Sequence, residues 1–364
     1  MMRETRGSPM PDYSALATMR DGWATSAPDV VGLDGGRLGA VVDWLDRLPG
    51  ANLHSLLVAR RGALAFEHYG KGTDPRDSLP DGQHGVAVRH DLRSATKSVT
   101  GLLAGIALER KHIPGLDARV LDYFPEYADL RTPEKERITV RHLLTMSAGL
   151  DWDENVPISD PRHGEMRMWR TADRLRVALE PPMVAAPGEV WNYSGGCSEL
   201  LGAILHKTTG EPLDAFAREA LFAPLGIDDV EWVPHADGTP SASGGLDMRS
   251  RDLAKIGQLV VAGGRWDGRT IVPARWIEDS IAPQIGAADR LFFYGYHWWL
   301  GRSLVGRKEI TWASAVGFGG QRLYVVPALD LVVVITAGHY ADIMQAWLPL
   351  VVLNRFVLPA ATGA

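Results

Sequence analysis

A chain of 364 residues that is 46% hydrophobic, with 39 glycines and 23 prolines, is long and apolar enough to bury one large core or two domains. Its net charge of −6, with lysines and arginines scattered along the chain, excludes the basic footprint of a nucleic-acid-binding protein. The single Cys197 excludes an internal disulfide and fits a small packed residue in a reducing compartment. The 11 histidines show no His-Glu-x-x-His or paired Cys/His spacing, so neither a metal site nor a cofactor is expected.

Residues 1–30 read as a poorly ordered leader, charged and proline-bearing, without the apolar core of a secretory signal. No stretch reads as long enough for a membrane span, so a cytoplasmic protein is expected. Gly36 to Leu48 carries Leu38, Val41, Val42, Leu45 and Leu48 at helical spacing. Two apolar runs, 56–60 and 63–69, flank Arg61-Gly62 and predict a hairpin with a two-residue turn.

Ser94-Ala95-Thr96-Lys97 follows, opening an apolar run in which Val99, Leu102, Leu103 and Ile106 recur at helical spacing before a stop at Pro114-Gly115. Positions three apart on a helix lie on one face, so the hydroxyl and the amine can touch. A desolvated amine can hold or shuttle the proton of a hydroxyl that is otherwise a poor nucleophile. Unpaired N–H groups in the first turn, that of Ser94 included, favour an oxyanion forming there. The combination fits acyl transfer, although an N-cap serine beside a surface lysine would read the same.

Between Pro114 and Pro240 the pattern changes to short helices at 140–147, 172–179, 197–208 and 213–221, with no long strand. Strands return at 296–300, 310–313, 322–326 and 331–336, and an amphipathic helix closes the chain at 343–356. Strands at both ends with helices between predict an α+β architecture: residues 31–113 and 241–364 build one sheet domain, and 114–240 form an inserted helical domain. The cleft between them is the expected site.

Further segments extend the pattern: Ile138 to Trp152, Pro187 to Gly196, Gly245 to Gly257 and Gly317 to Gln321. In this order the chain resembles the serine β-lactamase and penicillin-binding-protein superfamily, for which Ser-x-x-Lys is a signature. It is most similar to the branch of class C β-lactamases, D-alanyl-D-alanine carboxypeptidases, family VIII esterases and 6-aminohexanoate-dimer hydrolases. The resemblance implies an antiparallel sheet flanked by N- and C-terminal helices, and a serine hydrolase forming an acyl-enzyme. Ser94 would be the nucleophile, with Lys97 and Tyr193 moving its proton, the choice of base left open. The backbone N–H groups of Ser94 and Gln321 would hold the oxyanion.

Two departures from the family pattern matter. Tyr193-Ser194-Gly195 keeps the tyrosine of Tyr-x-Asn and loses its asparagine, and Phe318-Gly319-Gly320 stands where a Lys-Thr-Gly or His-Thr-Gly motif is usual, without its cation. Both losses disfavour a penicillin carboxylate and amide, and favour a neutral acyl substrate. The expected partner is a small ester or amide, esters first, then 6-aminohexanoate-type amides, then lactams or D,D-peptides; a non-catalytic ligand-binding module is the remaining alternative. Gly195, Phe318, Gly319, Gly320 and Trp152 are candidates for substrate contact. Trp298, Trp299 and Tyr294 are candidates for an apolar acyl pocket or for core. Asp151, Asp153 and Glu154 read as a solvated acidic loop. Gly-x-Ser-x-Gly, the nucleophile elbow of α/β-hydrolases, does not occur.

Overall fold

The computed structural model of the chain describes residues 16–17, 19–74, 79, 82–340 and 342–363. Its strands are β1 (Ala24–Thr25), β2 (Leu53–Arg60), β3 (Ala63–Tyr69), β4 (Arg89–Asp91), β5 (Val230–Trp232), β6 (Leu246–Arg249), β7 (Arg265–Trp266), β8 (Arg269–Thr270), β9 (Ile285–Ala287), β10 (Phe292–Tyr294), β11 (Trp299–Val305), β12 (Lys308–Gly317), β13 (Gln321–Val326) and β14 (Leu331–Ala337). Its helices are α1 (Gly35–Arg47), α2 (Thr96–Glu109), α3 (Val140–Leu144), α4 (Gly164–Trp169), α5 (Arg174–Leu179), α6 (Gly195–Thr209), α7 (Leu213–Ala217), α8 (Ser250–Val261), α9 (Ala274–Ser280), α10 (Met344–Val351) and α11 (Leu358–Thr362).

Nine strands join in the order β1-β3-β2-β14-β13-β12-β11-β10-β9. All neighbours are antiparallel except β1, which runs parallel to β3. The predicted hairpin is β2–β3, and its Arg61 and Gly62 both have positive φ, 52° and 77°, as a turn matching the strand twist requires.

The centre of the sheet is apolar on both faces, which is why its strands read as continuous hydrophobic runs. Along β2, Leu57 and Ala59 face one core, shared with α2, α6 and α8, while Leu56 and Val58 face the other. The second core lies under α1 and the C-terminal helices, where Leu38, Val41, Leu353 and Val357 are buried. The α+β architecture expected from the sequence is the one observed.

Three details differ from the sequence reading. Residues 21–30 are not loose: β1 adds to the sheet, Trp23 is buried, and Arg251 binds Asp21 at 3.1 Å, while residues 1–15 of the expected leader lie outside the described residues. The strand expected at 296–300 begins only at Trp299, because His297 has a φ of 60° and turns the chain toward α2 and α3. The closing helical run Met344–Thr362, 19 residues with a mean hydropathy of 1.2, is long and apolar enough by length and composition to cross a membrane, contrary to expectation. Its inner face, Leu348, Val352, Leu353 and Val357, is buried against the sheet.

His297 ties the sheet to the helices. Its ring nitrogens lie 3.0 Å from the Lys97 carbonyl and 3.3 Å from the Leu143 carbonyl, and its own carbonyl accepts the Ser98 hydroxyl at 2.6 Å. Burial pushes this imidazole down from 6.5 to about 4. A group whose folded pKa lies below its unfolded value stabilises the fold above the unfolded value and loses that contribution as pH falls. Unfolding free energy should therefore drop between pH 6.5 and 4, with His297 contributing up to about 1.4 kcal/mol per pH unit. Urea titrations across that range should show a shallower pH slope in His297→Gln than in the parent; equal slopes would refute the assignment. Leu56→Ala, which empties a fully buried site in the second core, should lower stability by about 2–5 kcal/mol in the same titration.

Candidate active site

The nucleophile candidate sits in a short 3-10 turn, Arg93–Ala95, that leads into α2. Asp91 shapes this turn: its carboxylate accepts the Arg93 N–H at 2.9 Å and pairs with the Arg93 side chain at 2.6 Å, while Arg93 takes a φ of 51°. The Leu92 N–H bonds the Leu246 carbonyl at 2.9 Å, tying the turn to β6. On the sheet side Gly317 lets β12 approach; a Cβ there would stand 2.2 Å from the Leu92 carbonyl oxygen.

One helical turn on, Lys97 is 1% exposed and donates to the Ser94 Oγ at 2.9 Å and to the Ser243 carbonyl at 2.8 Å. Tyr193, in the loop before α6, stands beside Ser94 and Lys97, its ring centroid 5.1 Å from the Lys97 Nζ. The three residues singled out from sequence therefore converge. Burial opposes the Lys97 charge, but Tyr193, Glu165 and Glu154 outweigh it and hold the ammonium above its ordinary range. Burial raises the Tyr193 phenol, against the pull of Lys97.

Glu154 is the principal surprise. It is not part of a solvated loop: its carboxylate accepts the Trp152 indole N–H at 2.7 Å and the Gly195 N–H at 2.5 Å. A Cβ on Gly195 would lie 3.0 Å from that carboxylate, so the glycine standing in for the asparagine of the family motif leaves room that an acid fills. Glu165, on α4, is a second acid here, pushed up by burial and by Glu154. Asn192 folds the acidic loop back by donating to the carbonyls of Trp152 at 2.8 Å and Leu150 at 3.3 Å. Asp151 remains exposed, as expected.

Support for Lys97 comes from Glu199 on α6, which sequence reasoning also missed. It accepts from the Ser243 N–H at 3.0 Å and the Ser241 hydroxyl at 2.8 Å, fixing the loop whose carbonyl holds the ammonium. Although burial opposes its charge, His235 and Arg174 hold the Glu199 carboxyl down at about 2. A buried acid aligned on the α6 face that follows Tyr193 was the available sequence signal.

The aromatic candidates divide. Trp152 and Trp298 are buried in the core, and the Trp152 indole N–H reaches Glu154. Trp299 lies 5.7 Å from the Tyr193 ring, and Trp191, unmentioned in the sequence reading, lies 6.2 Å from it; both are partly exposed. Tyr294 is buried behind them, 5.4 Å from Trp299.

Phe318, Gly319 and Gly320 form the β12–β13 turn, where the two glycines take φ values of 89° and 103°. Tyr340 backs this turn, its ring 5.5 Å from Phe318 and 4.9 Å from the Arg93 guanidinium carbon. Gln321 points its side chain inward, donating to Ala337 and Phe318 carbonyls at 2.7 and 3.1 Å. β12 offers no motif lysine, but the buried Arg322 of β13 binds the carbonyls of Gly317 at 3.0 Å and Gln321 at 2.8 Å, placing a cation beneath the turn. Cys197 is buried, its thiol pushed up to about 12.

A family model described as beta-lactamase matches residues 34–340. The 6-aminohexanoate-dimer hydrolase of Paenarthrobacter ureafaciens is 26% identical over 342 residues, covering 88% of this chain and 81% of that protein. Esterase EstB of Burkholderia gladioli is 28% identical over 276 residues, covering 69% of this chain and 65% of its own. A class C beta-lactamase structure superposes with a TM-score of 0.66 at 16% identity, covering 88% of this chain and 95% of that one, which establishes the shared fold. With the match running through both the Ser94 turn and the β12–β13 hairpin, the chain belongs to the beta-lactamase family.

Proposed function

We propose that this protein is a serine hydrolase that works through an acyl-enzyme on small esters or amides, with carboxylesters the preferred class. The 2.9 Å contact between the Lys97 ammonium and the Ser94 hydroxyl, with the Tyr193 ring 5.1 Å from the same ammonium, is the observation that carries the reading. Lys97 donates to Ser94 and is held charged by its acidic neighbours, so it serves better as a fixed positive charge than as a base. Tyr193, in the phenolate form that the ammonium favours against burial, takes the Ser94 proton as the hydroxyl attacks the acyl carbon, and the phenol so formed returns that proton to the leaving group. Water deacylates the serine by the same route. The backbone N–H groups of Ser94 and Gln321 are assigned to the oxyanion.

Esters are placed first because the inner strand carries no cation for a lactam carboxylate and Trp191 and Trp299 offer an apolar wall. A second reading, an amide hydrolase for substrates with a free ammonium, is supported by Glu154 in the space beside Gly195 and by the named activity of the Paenarthrobacter relative.

Ser94→Ala should abolish p-nitrophenyl ester hydrolysis while circular dichroism stays native; unchanged turnover would sink the assignment. Tyr193→Phe should lower kcat by about 10²-fold or more, and a fluorophosphonate should label the parent stoichiometrically on Ser94, separating an enzyme from a binding module. Nitrocefin turnover equal to ester turnover would reverse the ranking of substrates. Glu154→Gln should lower kcat/KM for an ω-amino acyl substrate by about tenfold, equivalent to ~1.4 kcal/mol, relative to its effect on a neutral acyl ester. An equal loss on both would remove the second reading.

A further inference from the structure

Next to Asp91, which shapes the nucleophile turn, the fold gathers His54 from β2, His90 from β4 and Asp74 from the segment after β3. All three are buried, and one ligand atom from each lies within 4.8 Å of the others. No spacing in the sequence announces them, because 36 residues separate the two histidines.

Proton positions make the arrangement informative. The Asn52 amide is oriented on both sides: its Nδ2 donates to the Thr73 carbonyl at 2.9 Å and its Oδ1 accepts the Thr73 N–H at 2.9 Å. His54 Nε2 lies 3.1 Å from that Oδ1, so it must carry the hydrogen, leaving Nδ1 with its lone pair. The backbone of Gly72 lies against this ring, so close that a Cβ there would stand 2.4 Å from His54 Cδ2. His90 Nδ1 faces the Asp91 carbonyl at 3.0 Å and must donate to it, leaving Nε2 as the lone-pair nitrogen. The two lone pairs point at each other across 2.7 Å, with an Asp74 oxygen 3.7 Å from His90 Nε2. Two neutral acceptors at that separation repel unless a cation lies between them. His84 stacks on His54 at 3.8 Å, and its buried Nε2 has no hydrogen-bond partner among the described residues.

We propose that His54 Nδ1, His90 Nε2 and Asp74 Oδ2 form a binding site for one divalent transition-metal ion, zinc foremost, with water in the fourth position. Two imidazoles and one carboxylate suit zinc. Each histidine donates its other ring N–H to a carbonyl oxygen, and Tyr340 donates to Asp74 at 2.7 Å, the outer-shell pattern that orients metal ligands. Tetrahedral bonds of about 2.0–2.1 Å set two nitrogens ~3.3 Å apart, so binding opens the present contact by about half an ångström. A cavity of ≈ 450 Å³ is walled by Asn52, Gly72, Thr73 and Tyr340, of which Asn52 and Tyr340 touch the proposed ligands. The ion would be structural: Asp91 and Tyr340, which touch its ligands, also hold Arg93 and the β12–β13 turn.

The test uses the full chain, stripped with EDTA and dialysed. Added zinc should be retained at about one equivalent per chain after gel filtration and should raise the melting temperature. Cobalt should give visible ligand-field absorption. Asp74→Asn and His90→Gln should each weaken zinc binding by about tenfold or more and remove the thermal shift. Wild-type protein that retains no zinc and shows no cobalt spectrum would overturn the proposal in favour of a shared proton, whether or not the variants fold. Binding unchanged in Asp74→Asn would overturn it as well.

Discussion

A positive charge buried beside a serine hydroxyl is the constraint around which this structure is organised. Lys97 is 1% exposed, and an ammonium taken out of water is tolerated only if its hydrogens find acceptors and its charge finds compensation. The chain meets both needs from distant segments. Ser94 and the Ser243 carbonyl accept its hydrogens, while the acids Glu154 and Glu165 favour its charge. Each supplier needs support of its own: Glu199 holds the Ser243 loop, and Asn192 holds the loop that delivers Glu154. The helical segments between the two halves of the sheet thus serve one cation.

The same neighbourhood holds the two departures from the family pattern. In the family pattern an asparagine beside the tyrosine and a cation on the inner strand recognise amide and carboxylate groups. Here Gly195 admits an acid in place of the first, and Arg322 approaches from β13 with its guanidinium committed to backbone carbonyls. On the Glu154 side a carboxylate therefore stands beside Gly195, where the family pattern has an amide.

Local features were legible in the sequence, and long-range ones were not. The Ser94 to Lys97 spacing, the β2–β3 turn at Arg61-Gly62 and the apolar runs of β13 and β14 each depend on neighbours a few residues away, and they match the structure. Glu154 was misread because its loop carries three acids and nothing local shows that Asn192 and the Trp152 indole pull one of them inward. The alternation at 296–300 mimicked a strand, although His297 serves as a pin between α2 and α3. Trp152 and Trp298 went to the core because large rings near a cleft are as useful behind its wall as on it. The His54–His90 contact joins two strands of different sheets, a relation that no periodicity encodes.

The adjacency of β2 and β14 bears on how the molecule comes into being. Ser55 and Thr336 share a hydrogen bond of 2.7 Å at a separation of 281 residues. The central strand pair cannot form on the ribosome until β14 has emerged, and until then the apolar faces of β2 and β3 lack their partner. Such non-local pairing slows folding and leaves strand edges open to other chains. Biogenesis of this fold should therefore depend on chaperones and temperature more than its finished core would suggest.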